Sequence, residues 1–129
     1  MGTEYLLDSN TVIEFLGGML PASTVNQLNE IVDRDGHHLS VINQIELLGF
    51  NGSTTEMQTL EAFIMTSNVI PLHDAIVQKT IEFRKTYKIK LPDAVIAATT
   101  LVHGLTLITR NISDFEKIQE LEVVDSHAM

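Results

Sequence analysis

Short apolar runs alternate along the chain with segments whose apolar residues recur every three or four positions. The runs are typical of buried strands, and the three-to-four spacing is typical of amphipathic helices. Strands are therefore predicted at residues 5–7, 38–41, 68–72, 105–109 and 123–124. The apolar positions of the predicted helices fall within residues 11–16, 25–32, 45–48, 57–64, 76–81 and 93–102.

Capping residues, proline and glycine set the limits of several helices. Ser53 and Glu56 have the spacing of a capping box, so a helix is expected to begin after Ser53. Pro92 fits the first turn of a later helix, and Gly104 ends that helix. Because strands and helices alternate, the chain is predicted to be α/β, with a central parallel sheet flanked by helices.

Length and composition are those of one globular domain, expected to span residues 1–129, since no linker or internal repeat divides the chain. Hydrophobic residues make up 44% of the sequence, which argues against disorder. No apolar run approaches the roughly 20 residues of a membrane helix, and no basic stretch marks a signal peptide at the start. The chain has no cysteine, which excludes disulfides and thiolate metal sites and is consistent with the cytoplasm.

The net charge of −9 argues against nonspecific binding to nucleic acid, which depends on basic surface. However, five of the eight basic residues lie in one stretch that leads to Asp93: Lys79, Arg84, Lys85, Lys88 and Lys90. This stretch is either a solvated helix face or a basic rim beside an acidic site. The second interpretation depends on a functional role for Asp93.

Acidic residues follow the predicted strands or begin the helices after them. Asp8 ends the first strand, Glu46 lies on the helix after the second, and Asp93 lies in a helical first turn that favours a carboxylate. Asp114 follows the strand at 105–109. Since ligands of open parallel sheets bind outside the carboxyl ends of the strands, we expect these acids to converge there.

Carboxylate and amide oxygens without sulfur suit hard divalent cations such as Mg²⁺ or Mn²⁺, and the chemistry that follows is phosphodiester hydrolysis. Each acid also has a structural interpretation: a helix cap for Asp8, a solvated position for Glu46, a helix start for Asp93 and a turn for Asp114. The five histidines show no metal-ligand spacing and are expected to be surface or capping residues.

Four segments together resemble the PIN domain, and within it the toxin ribonucleases of VapBC-type toxin–antitoxin pairs. They are YLLDSN at 5–10, SVINQIELLG at 40–49, KIKLPDAVIAAT at 88–99 and LITRNISDF at 107–115. The resemblance covers nearly the whole chain, and the third segment is the most specific. It implies a metal-dependent endoribonuclease that acts on RNA, forms a homodimer and pairs with an antitoxin protein.

The resemblance also implies roles for individual residues. Asp8, Glu46 and Asp93 match the family's catalytic and metal-binding acids. The fourth position is either Asn111, which carries no charge, or Asp114, which we predict to be the acid. The predicted supporting residues are Asn10, Thr109 and Asn111, and the candidates for RNA contact are Arg84, Lys85, Lys88, Lys90 and Arg110.

Two other functions compete with this interpretation. A haloacid-dehalogenase-type phosphatase also has a strand that ends in Asp, but it needs a second Asp where this chain has Asn10. A PIN-fold module that binds RNA or protein without catalysis is the stronger alternative. A metal-dependent cleavage assay separates that module from a nuclease.

Overall fold

Strands and helices alternate in the computed structural model, which describes residues 2–129. The strands are β1 (Tyr5–Leu7), β2 (His37–Ser40), β3 (Asn68–Ile70), β4 (Thr106–Thr109) and β5 (Val123–Asp125). The helices are α1 (Ser9–Leu16), α2 (Ala22–Asp33), α3 (Val41–Leu48), α4 (Thr54–Met65), α5 (Asp74–Thr86), α6 (Leu91–Val102) and α7 (Ile112–Phe115). No helix within these residues is long and apolar enough to span a membrane.

The five strands form one parallel sheet in the order β3-β2-β1-β4-β5. Strand β1 is central, and its Leu6 pairs with His38 of β2 and Leu107 of β4. A central strand has partners on both edges and helices on both faces, which explains the continuous apolar run at its position in the sequence. The predicted α/β class and parallel sheet are confirmed.

Two hydrophobic clusters cover the two faces of the sheet. Leu6 and Leu107 belong to the cluster with α5, α6 and α7, whereas Leu7 and Ile108 belong to the cluster with α1, α2 and α4. This division follows from the alternation of side chains along a strand. Helix α6 is buried from Ala94 to Thr100, and Asp93 lies directly before this buried stretch.

Capping boxes begin two of the helices. The predicted one is confirmed at α4, where the Ser53 hydroxyl accepts from the Glu56 N–H (3.1 Å) and the Glu56 carboxylate accepts from the Ser53 N–H (2.8 Å). The second begins α3, where the Asn43 side chain accepts from the Ser40 N–H (2.9 Å). The predicted strand at 38–41 was therefore wrong at Val41, because this cap starts the helix there.

The other differences are also local. The third strand stops at Ile70 rather than at 72, since Pro71 has no N–H for a sheet hydrogen bond. Helix α7 forms where a turn was expected. The prediction that all five histidines are surface or capping residues was wrong for His37, which is 1% exposed. Its ring packs on Phe63, and its Nε2 lies 3.1 Å from the Ser67 hydroxyl.

Candidate functional site

Asp8 connects the central strand to the first helix. It follows β1, caps α1, and is 6% exposed. Its Oδ1 accepts from the Ser9 N–H (2.9 Å), and its Oδ2 accepts from the Thr109 hydroxyl (2.8 Å). Burial raises the pKa of Asp8, although these hydrogen bonds act in the opposite direction. The carboxylate is therefore fixed in orientation and its charge is only partly compensated.

Asn10 and Thr109 join Asp8 to the end of the neighbouring strand β4. The Asn10 amide donates to Asp8 Oδ2 (3.2 Å), and its oxygen accepts from the Arg110 N–H (3.1 Å). The Thr109 hydroxyl, which donates to Asp8, accepts in turn from the Asn111 N–H (3.0 Å). Of the three predicted supporting residues, Asn10 and Thr109 thus contact Asp8, whereas Asn111 contributes a backbone hydrogen bond.

A hydrogen-bonded chain connects Asp8 to Glu46 on α3. The Asn43 amide donates to Asp8 Oδ1 (3.4 Å) and to the Ser9 hydroxyl (3.0 Å), which in turn donates to Glu46 Oε1 (2.7 Å). Sequence reasoning missed Ser9 and Asn43. Available signals were the position of Ser9 directly after Asp8 and the spacing of Asn43, one helical turn before Glu46.

Asp93 lies half-buried in the first turn of α6, within electrostatic reach of the other three predicted acids. Burial is the largest cause that raises the pKa of Asp93, followed by the charges of Asp8, Asp114 and Glu46. Lys90 acts in the opposite direction. The four acids therefore share one neighbourhood, which we call the acid cluster.

The side chains of the acid cluster are neighbours without converging on one point. Within residues 2–129, no three His, Asp or Glu side chains are arranged as they stand to hold one metal ion. Like charges repel when no cation lies between them, so separated carboxylates are the expected arrangement. The donors available are oxygen atoms, as Mg²⁺ and Mn²⁺ prefer, and the side chains of Glu46 and Asp114 are exposed.

The two candidates for the fourth acidic position lie in different surroundings. Asp114 is exposed on α7 and lines a pocket of about 100 Å³ together with Asp93. Asn111 occupies the cap position before α7, but its side chain makes no capping hydrogen bond. Of the two residues, only Asp114 adds a negative charge beside Asp93.

The predicted basic residues occupy different environments. Lys88 and Lys90 line the same pocket as Asp93, together with Lys117, which sequence reasoning missed. The Arg84 guanidinium donates to the Ile89 carbonyl (2.6 Å) and supports the loop before α6. Lys85 is exposed in the last turn of α5.

Arg110 does not line this pocket, and its guanidinium pairs with the buried Glu14 carboxylate of α1 (3.0 Å). Glu14 also accepts from His127 Nε2 at 3.1 Å if that nitrogen is protonated. Part of the charge of Arg110 is thus neutralised within the protein.

The chain is similar to known proteins in sequence and in fold. The PIN domain family model matches residues 5–121, and the chain belongs to the PIN domain family. A PIN fold excludes the haloacid-dehalogenase alternative. A curated relative named Ribonuclease VapC1, from Rickettsia felis, is 43% identical over 42 residues, and this match spans 33% of the present chain and 31% of that protein.

Solved structures share the fold over almost the whole chain. A toxin-antitoxin complex from Klebsiella pneumoniae is similar with a TM-score of 0.76 and 29% identity, covering 98% of this chain and 100% of that chain. VapBC2 from Rickettsia felis, bound to a DNA fragment from its promoter, has a TM-score of 0.80. Its identity is 22%, with 95% of this chain and 98% of that chain covered, so this second likeness concerns the fold alone.

Proposed function

We propose that the chain is a divalent-metal-dependent endoribonuclease that hydrolyses RNA phosphodiester bonds. The observation that carries the proposal is the acid cluster of a PIN-domain chain, in which Asn43 and Ser9 link Asp8 to Glu46 and half-buried Asp93 shares a pocket with Asp114. The partial match to a protein named as a ribonuclease adds support for the substrate class. Residues 1–129 form one PIN domain in this proposal.

Asp8, Glu46, Asp93 and Asp114 would hold Mg²⁺ or Mn²⁺, with Asn111 less favoured than Asp114. The metal, when bound, supplies an activated water and neutralises charge on the leaving oxygen. The chain itself supplies orientation. Thr109 and Asn10 fix the Asp8 carboxylate, and Ser9 holds the Glu46 carboxylate towards Asp8.

The proposed biological role is that of a toxin paired with an antitoxin protein in the cytoplasm. The support is the likeness to a chain of the Klebsiella pneumoniae toxin-antitoxin complex, which covers 98% of this chain and 100% of that chain. A homodimer is also proposed, because large side chains such as Ile45, Met65 and Leu91 remain more than half exposed. Light scattering at micromolar concentration should give twice the chain mass of 14.3 kDa, and a monomer would contradict the dimer.

The decisive experiment compares the wild type with Asp93→Asn on a panel of tRNA, rRNA fragments and mRNA. Cleavage should require added Mg²⁺ or Mn²⁺ and should disappear in the variant, which keeps an oxygen donor but loses the charge that holds the cation. Lys79→Met provides a control, since Lys79 pairs with Glu82 on the exposed surface of α5. Equal cleavage by Asp93→Asn would refute the metal-nuclease mechanism. RNA binding without cleavage by the wild type would indicate a noncatalytic module.

A further inference from the structure

The pocket beside the acid cluster carries charges of both signs. It has a volume of about 100 Å³ and is lined by Lys88, Ile89, Lys90, Asp93, Asp114 and Lys117. Asp93 and Asp114 belong to the acid cluster as well, so the two features are continuous. We call the part formed by Lys88, Lys90 and Lys117 the lysine pocket.

None of the three lysines forms an ion pair within residues 2–129. Among residues 2–129, ion pairs form at His38, Lys79, Arg110 and His127. The Lys117 ammonium donates instead to the Lys88 carbonyl (2.7 Å), which ties α7 and the residues after it to the loop before α6. An ammonium group has three donors, so Lys117 keeps two for a ligand while its position is fixed by the third.

We propose that the lysine pocket binds a backbone phosphate of the RNA, next to the phosphodiester that is cleaved at the acid cluster. This inference rests on the proposed function and names the substrate contact of the same site. Ammonium groups are common phosphate ligands, and phosphate contacts position a nucleic acid without reading its sequence. One water molecule needs about 10–15 Å³ of such a cavity, so a pocket of about 100 Å³ has room for a group of several non-hydrogen atoms such as a phosphate.

The placement of the pocket favours RNA over an acidic polypeptide. A nucleic acid carries phosphates at regular intervals, so one phosphate can lie at Asp93 and Asp114 while its neighbour lies among the lysines. An acidic polypeptide could place a carboxylate among the lysines, but it has no phosphodiester to place at the acid cluster, so only RNA occupies both parts of the continuous site. Neither arginine among the candidates lines the pocket: Arg84 donates to the Ile89 carbonyl, and Arg110 pairs with Glu14.

The test measures cleavage of a single-stranded RNA by Lys90→Met and Lys117→Met. Each variant should raise KM about tenfold, the size expected for one hydrogen bond to a charged group. The kcat should stay within about twofold, because a contact to a non-reacting phosphate contributes equally before and in the transition state. Lys117→Arg keeps a charge and a donor and should restore most of the affinity.

Binding is measured separately in an Asp8→Asn background, where cleavage is expected to be lost. The slope of log K against log salt should become shallower by about 0.7 for each lysine removed. Lys79→Met removes the same charge outside the pocket and should leave KM and the slope unchanged. Thermal melts of each variant show whether the fold is retained. If Lys117→Met loosens the loop before α6, Lys117→Arg still tests the site, because arginine keeps a donor for the Lys88 carbonyl.

Each result has one meaning. Raised KM with a shallower slope in the pocket variants alone supports the phosphate site. Wild-type cleavage with an unchanged KM in both pocket variants overturns this site and leaves the proposed nuclease intact. Variants that keep their KM for RNA but lose binding to poly-glutamate would assign the pocket to an acidic polypeptide and overturn the RNA contact. A wild type that neither binds nor cleaves RNA overturns the proposed function itself.

Discussion

Replacing Thr109 with valine should destabilise the fold through Asp8. Thr109 is fully buried, and its hydroxyl donates to Asp8 Oδ2 at 2.8 Å. Valine has nearly the same shape, so the substitution removes the hydrogen bond and creates little cavity. A hydrogen bond to a charged group contributes about 1.5–3 kcal/mol, and the Asn111 N–H loses its acceptor as well.

The expected loss at pH 7 is therefore about 2–3 kcal/mol, or roughly 8–12 °C in melting temperature for a domain of this size. The loss should depend on pH. Burial raises the pKa of Asp8 in the folded state. The free energy of unfolding therefore falls as the pH rises through this pKa and the buried carboxyl group becomes charged. The Thr109 hydroxyl offsets part of this cost, so Thr109→Val should destabilise more at pH 7 than at pH 3, where Asp8 is protonated.

The assay is urea unfolding in EDTA at both pH values, with Thr100→Val as a matched control. Thr100 is also fully buried, but its hydroxyl donates to the Ile96 carbonyl within α6 (2.8 Å). Loss of this neutral hydrogen bond should cost about 0.5–1.5 kcal/mol at either pH. Equal losses for both variants, without pH dependence, would refute the argument that Thr109 stabilises a buried charge.

Three further predictions concern charge inside the fold. Asp93→Asn should raise the melting temperature at pH 7 without metal. The pKa of Asp93 is raised in the folded state, so its ionisation destabilises the protein as the pH rises above 3.8. Calorimetry at pH 3, where Asp93 is protonated, should show that the gain disappears. Burial lowers the pKa of His37, so the free energy of unfolding, measured with urea, should fall as the pH drops below 6.5. The variant His37→Gln should flatten this part of the plot of stability against pH. Glu14→Gln should cost about 1–2 kcal/mol at pH 7, since it weakens the contacts with Arg110 and His127; an unchanged urea midpoint would contradict this.

Residues near strand ends were predictable because their positions follow from topology. In a parallel sheet every carboxyl end lies at the same edge, so Asp8 and Thr109 had to be neighbours once β1 and β4 were adjacent. The first turn of α6 was equally predictable from Pro92, which placed Asp93. The sequence pattern therefore contained the main acidic positions and the class of fold.

Contacts between distant segments were not predictable in the same way. Ser9 and Asn43 meet because α1 and α3 pack side by side, so their positions near Asp8 and Glu46 in the sequence could suggest a role but not this contact. Lys117 reaches the lysine pocket through a hydrogen bond to a residue 29 positions away. His37 lies in a strand that reads as half polar, yet the neighbouring Phe63 and Ser67 bury its ring. Such positions depend on tertiary packing rather than on local pattern.

The net charge of −9 and the proposed RNA substrate are compatible because the charges are unevenly distributed. The acids Asp93 and Asp114 stand directly beside Lys88, Lys90 and Lys117 without forming ion pairs with them among residues 2–129. If a cation neutralises the acids, the local field at this edge becomes positive while the remaining surface stays negative. RNA would then be attracted to the site and repelled elsewhere, so affinity should rise with Mg²⁺ occupancy and not merely with lower salt. A protein whose basic residues were spread evenly at the same net charge would lack that dependence.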